Sequence, residues 1–99
     1  MAKKPETLFK EKVLEELRDI KNSYWIKIQQ VTLKGVPDIL GAINGRFIAL
    51  ELKKDDKEKP EKLQEYVLNE VNKAGGIALV TSPENFEETK KYIIKETFF

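Results

Sequence analysis

The sequence contains no cysteine and no histidine. Without cysteine there is no disulfide framework and no thiolate–zinc site. Without histidine, Ser–His–Asp and Cys–His chemistry, histidine-ligated zinc and every scheme with a histidine base are excluded. Any hydrolysis must rest on carboxylates, lysine, tyrosine or a metal ion. No apolar run approaches the ~18 residues of a membrane span. The opening MAKKPETLFKEK lacks the apolar core of a signal peptide. Together these absences point to a soluble protein of the cytoplasm, although a secreted chain with its signal removed would look the same. Excess charge is also missing: 18 basic residues face 17 acidic ones, a net charge of +1. Overall charge therefore gives no strong sign of a nucleic-acid partner, and such a partner would need local basic patches or bound cations.

What is present suffices for one core, with 99 residues of which 40% are apolar. No repeat or linker divides the chain, so residues 1–99 read as one domain. Pro5 and Glu6 suit a first helical turn, and Phe9, Val13, Leu17 and Ile20 follow at helical spacing, with Asn22 and Ser23 as the stop. Residues 24–31 (YWIKIQQV) alternate as a strand, and 32–35 form a loop. In VPDILGAINGRFIALELK two apolar runs flank Asn44-Gly45, the dipeptide best suited to a two-residue type I′ hairpin turn. Pro60 is expected to open a second helix bearing Leu63, Val67, Leu68 and Val71, closed by Gly75-Gly76. Residues 77–80 (IALV) read as a short buried strand. Ser82 is a candidate N-cap with Pro83 at the first position of a last helix. The order α-β-β-β-α-β-α predicts an α/β fold with a mixed sheet flanked by helices.

The hairpin register brings charged residues together. With Asn44-Gly45 as the turn, Ile43 faces Arg46, Leu40 faces Ala49, Ile39 faces Leu50, and Asp38 falls opposite Glu51. Opposed residues share a face, and Lys53, two beyond Glu51, projects from it too. Two carboxylates ~5 Å apart repel by roughly 3 kcal/mol at an effective dielectric near 20, and a divalent cation between them would reverse that sign. Magnesium suits two carboxylates with retained waters and a phosphate. Lys53 would then orient the attacking water or steady the phosphate. Each residue also has a plainer reading. Glu-x-Lys is common in a chain that is 35% charged, and Asp38 after Val36-Pro37 could simply cap a turn.

Glu6 falls near the centre of the apolar stripe of the first helix. It is either a helix-dipole residue or an acid aimed at the sheet. Gln64, on the first turn of the second helix, is either solvated or a hydrogen-bond partner for the lysine, a water or a phosphate.

The combination of GVPD, ELK after the hairpin and LQ on the next helix resembles the PD-(D/E)xK nuclease superfamily. More narrowly it is similar to the virus-type replication-repair nuclease (VRR-NUC) family in its small stand-alone form. PETLF, GVPDILGAINGRFIALELK, LQEY and AGGIA all fit. The resemblance implies a restriction-endonuclease-like αβββαβ(α) core and phosphodiester hydrolysis dependent on Mg²⁺, with Mn²⁺ able to substitute. It implies that Asp38, Glu51, the main-chain carbonyl of Leu52 and Glu6 bind metal, that Lys53 is the catalytic lysine and Gln64 the helical glutamine. It further implies a homodimer cutting branched DNA such as Holliday (four-way) junctions, in the host cytoplasm if phage-encoded. A nuclease preferring nicks, flaps or single strands, or a non-catalytic nucleic-acid-binding module, would share the fold.

Candidate DNA contacts are Lys34, at the expected mouth of the site, with Lys27, Arg46 and Lys54; the default for such charges is solvated surface. Ile93, Ile94, Phe98 and Phe99 give the last helix more apolar surface than one face buries. That end either packs on its own core or forms a symmetric contact.

Overall fold

A computed structural model describes residues 2–29 and 34–98. The expected residues 30–33 of the first strand and loop, and Phe99, lie outside the described residues. The elements are α1 (Pro5–Arg18), β1 (Ser23–Lys27), β2 (Ile39–Ile43), β3 (Arg46–Leu52), α2 (Lys62–Lys73), β4 (Ile77–Thr81) and α3 (Phe86–Thr97). This is the αβββαβ(α) order of the sequence reading. The strands form one four-stranded sheet in the order β1-β2-β3-β4. β1–β2 and β2–β3 pair antiparallel, and α2 carries the chain across to a parallel β3–β4 pair.

The alternation of β3 assigns the two faces. Ile48 and Leu50 join Trp25, Ile39, Ile43 and Ile77 under Val13, Leu14 and Leu17 of α1 and Phe86 and Ile93 of α3. Ala49 points the other way and packs with Ala78 against Leu68 of α2, flanked by Leu40, Val71 and Val80. Glu51 has the parity of Ala49, so the sheet aims it at the α2 side. The Trp25 indole crosses β2 at Gly41, where a Cβ would stand 2.4 Å from Trp25 Cε3. Only a residue without a side chain leaves room for that indole. Lys90 of α3 donates to Glu16 of α1 at 2.6 Å, holding the Glu16 carboxyl below and the Lys90 ammonium above their ordinary ranges.

The hairpin register is the one expected, with Ile43 facing Arg46, Leu40 facing Ala49 and Ile39 facing Leu50. Asn44 and Gly45 take φ of 50° and 84°, the left-handed pair that a type I′ turn requires. Some expected boundaries differ. α1 ends at Arg18, and Ser23 opens β1 rather than stopping the helix; its hydroxyl instead donates to Ile20 O at 2.6 Å. Leu14, outside the expected stripe, is buried. Pro60 precedes α2 by two residues, and Glu61 is its N-cap.

The expectation that Ser82 and Pro83 start the last helix is wrong: α3 begins at Phe86 with Asn85 as its N-cap. Asn85 Oδ1 accepts the Ser82 N–H and the Thr81 hydroxyl, each at 2.8 Å, which holds residues 82–85 in a turn. An amide oxygen able to take two donors wins over the Ser-Pro signal. Ile93 is fully buried, so at that position the end of α3 packs on its own core. Among the described residues no helix is long and apolar enough to cross a membrane.

Candidate functional site

The β2–β3 ladder stops at Ile39–Leu50, one step before the acids. Asp38 finishes the pairing with its side chain, as Oδ2 accepts the Leu52 N–H at 2.8 Å. Its own carbonyl accepts the Ile28 N–H at 2.9 Å. Asp38 is thereby pinned from both neighbouring strands with Oδ1 left over. The next N–H along, that of Lys53, donates to Thr81 O of β4 at 2.9 Å. All four strands thus contribute to holding this end of the sheet.

Glu51 is 4% exposed, and α2 covers it. Gln64 Nε2 donates to Glu51 Oε2 at 2.9 Å, and Lys53 Nζ lies 3.3 Å from the same oxygen. Lys53 Nζ also donates to Gln64 Oε1 at 3.1 Å. Gln64 Oε1 accepts in addition the Glu61 N–H at 2.9 Å, so this one amide caps its helix and fastens the acid and the lysine. The Glu51 carboxyl is pushed up to about 7. Burial is the largest cause, and the facing Asp38 adds to it through its charge and through the hydrogen bond two acids share when one is protonated. Lys53 opposes both through its charge and its hydrogen bond.

A cleft of about 410 Å³ opens beside these groups, lined by Glu6, Phe9 and Lys10 of α1, by Asp38, Leu52 and Lys53, and by Lys54, Glu58, Pro5 and Pro83. The structure therefore brings Asp38, Leu52, Lys53, Lys54 and Glu6 to one cleft, with Glu51 and Gln64 adjoining through Lys53. Glu6 is exposed on the first turn of α1. Among the described residues no group of three or more Asp, Glu, His or Cys converges to hold a metal, so Glu6 does not close a three-acid cluster with Asp38 and Glu51. Lys27 lies nearby, in a depression it shares with Glu6 and Lys10. Lys34 is exposed in a turn with Gly35 and is not among the residues that line the cleft.

Arg46 is not brought to the site. It stands at the turn end of the hairpin, where Nε donates to Gly75 O at 3.0 Å and Nη1 to Glu96 O at 3.4 Å. Its guanidinium serves main-chain carbonyls at the C-terminal ends of α2 and α3, a common use of a cation there. Conversely, Lys10 was not singled out from sequence, yet its Nζ is 3.6 Å from Asp38 Oδ1. The available signal was its spacing of four from Glu6, which puts both on one face of α1.

The donor set fits a hard divalent cation. Asp38 Oδ1, Glu51 and the Leu52 carbonyl offer oxygen only, and burial, then the charge of Asp38, push the Glu51 carboxyl up to about 7. The Gln64 hydrogen bond and the Lys53 ion pair of Glu51 both fall on Oε2, and Asp38 spends Oδ2 on Leu52. Each acid thus keeps one oxygen uncommitted to a backbone or amide donor.

No protein-family model matches the sequence, and no curated protein matches it. Among solved structures, one named VRR_NUC domain protein is similar over 99% of this chain and 91% of its own, with a TM-score of 0.70 at 17% identity. That likeness is one of fold.

Proposed function

We propose that this chain is a metal-dependent nuclease of the VRR-NUC type that hydrolyses phosphodiester bonds in DNA at the Asp38–Glu51–Lys53 centre. The observation that carries the reading is a buried Glu51 close enough to Asp38 to feel its charge, one step beyond the last hairpin pair, against a lysine whose ammonium is fixed by Gln64. A fold needs no such arrangement, since opposed acids weaken a strand pair. The shared fold with a protein named for the VRR_NUC domain supports the assignment.

Asp38, Glu51 and the Leu52 carbonyl would hold Mg²⁺ or Mn²⁺, with Glu6 as a further acid at the rim of the cleft. Such an ion supplies Lewis-acid polarisation of the phosphoryl oxygens and offsets the charge that builds there. Asp38 and Glu51 orient their oxygens through Leu52 N–H and Gln64 Nε2. Lys53 is only 11% exposed at its side chain, so its ammonium meets a phosphate oxygen or the attacking water with little freedom to move. Lys34, Lys54 and Lys27 supply local positive charge for the DNA backbone, which a net charge of +1 does not.

We further propose action on branched DNA such as four-way junctions by a homodimer with two such centres. Apolar surface outside the core supports the dimer, notably Tyr24 at 71% and Phe47 at 45% exposure. The test is incubation of labelled four-way junction, flap and linear duplex DNA with Mg²⁺ or with EDTA. Cleavage that requires the metal and is lost in Lys53→Ala is expected. Binding without cleavage of any substrate, with either Mg²⁺ or Mn²⁺, would leave a non-catalytic binding module. Equal cutting of all three substrates would remove the branched preference, and a monomer in sedimentation would remove the dimer.

A further inference from the structure

We propose that Lys10 is a positioning residue that occupies Asp38 Oδ1 in the absence of a divalent cation and is released to a DNA phosphate when the cation is bound. The inference rests on the metal-dependent reading above. Asp38 Oδ2 already accepts the Leu52 N–H at 2.8 Å, so Oδ1 is its oxygen with no backbone donor and both lone pairs to offer. That remaining oxygen is the one Lys10 approaches, at 3.6 Å. The same atom therefore serves a tethered ammonium and would serve a cation, and the two compete for it.

The two lysines of the site differ in freedom. Lys53 donates to Gln64 and pairs with Glu51 in a nearly buried position. Lys10 makes a longer contact and keeps 26% of its side chain exposed. It projects from α1, on the opposite side of the sheet from α2, into the cleft lined by Asp38 and Lys53. It also borders a second depression with Glu6 and Lys27. Glu6 is one turn earlier on the same helix, so an ammonium leaving Asp38 has an acid within side-chain reach and an open cleft in which to meet phosphate. Lys10 thus links cation occupancy to backbone binding: it lowers cation affinity in the free protein and adds to DNA affinity once the cation is in place.

Calorimetric titration of Mn²⁺ into the full chain without DNA tests the competition directly. Lys10→Met, which keeps most of the stem and removes the charge, should bind Mn²⁺ about fivefold more tightly, the upper range for a partly exposed ion pair. Lys10→Arg should stay within about twofold of the parent, since it keeps the charge. Lys10→Gln serves as a second neutral variant, and circular dichroism verifies the fold of each. With Ca²⁺ in place of Mn²⁺, the slope of log affinity for DNA against log salt should shrink by about 0.9 in Lys10→Met, the loss of one phosphate contact. Mn²⁺ affinity that is unchanged or weaker in both neutral variants would overturn the competition and leave the nuclease reading standing. An unchanged salt slope would overturn the release to phosphate. A parent protein that binds no Mn²⁺ would overturn both this inference and the metal centre on which it rests.

Discussion

The two ends of the β2–β3 hairpin lie five residue steps apart, roughly 17 Å at about 3.4 Å per residue, and are built on opposite rules. At the turn, the side chains of Asn44 and Arg46 meet complementary main-chain groups. Asn44 N–H donates to Asn22 O and its side-chain amide to Thr97 O, both at 2.9 Å, while Arg46 tends the carbonyls of Gly75 and Glu96. At the other end one acid is buried beside another, and burial first and the charge of Asp38 second push the Glu51 carboxyl up to about 7. The turn end secures α2 and α3 to the sheet. The acid end gives up some stability to the opposed carboxylates, and under the proposed function it is where a cation and a phosphate would be held. Under that function, one hairpin separates what maintains the fold from what would act.

The sharpest way to break the contrast is to remove a residue from each end and compare activity with stability. Lys53→Ala should reduce single-turnover cleavage by about 10²- to 10⁴-fold, the range for a positioned proton-transfer or charge-stabilising group. Asn44→Ala should leave the cleavage rate of the folded protein unchanged.

The next effect is on stability and follows from Glu51. Its folded-state value of about 7 lies above the ordinary 4.5, so the folded state holds this proton more tightly than the unfolded state does. The resulting stabilisation is fully present below pH 4.5 and is lost as pH rises to 7. The change amounts to about 3 kcal/mol across that window. Urea unfolding in EDTA should show the decline in the parent protein, and Glu51→Gln should flatten it by that amount. Saturating Mn²⁺ should restore stability to the parent above pH 7 and not to the variant.

At the turn, Asn44→Ala should cost about 1–2 kcal/mol, because alanine tolerates the left-handed φ poorly and the bond to Thr97 O is lost. Denaturant unfolding at a single pH measures it. The smallest effects concern DNA. Lys54→Ala should reduce the salt slope of binding by about 0.9. Arg46→Ala should leave that slope unchanged, while lowering stability by roughly 0.5–1 kcal/mol through its lost carbonyl contacts. A reduced slope for Arg46→Ala would mean that DNA reaches the turn end as well.

The sheet was the most legible part of the sequence because two local signals agree there. Asn44-Gly45 determines the turn, and the alternation around it assigns the faces, so the pairing of Ile39 with Leu50 followed by counting. The convergence of Asp38, Glu51 and Lys53 followed from the same count. Other features depended on distances that spacing does not encode. The wheel puts Glu6 on the inner stripe of α1, whereas the structure has it exposed on the first turn, and spacing does not encode the reach of Lys10 to Asp38. Arg46 resembled any other surface cation, because its carbonyl partners come from the ends of α2 and α3, far along the chain. The start of α3 was misread because Asn85 acts backwards, on Thr81 and Ser82, while Ser82-Pro83 looks like a forward signal.

Gln64 has a consequence for how the site can be observed. Its side-chain oxygen takes the Glu61 N–H and the Lys53 ammonium together, while its nitrogen holds Glu51. Frayed residues at the start of α2 would therefore release the lysine and the acid in the same event, and a perturbed acid or lysine would loosen the helix end. The exchange rate of a single backbone hydrogen, that of Glu61, becomes a reporter of the state of side chains it never touches.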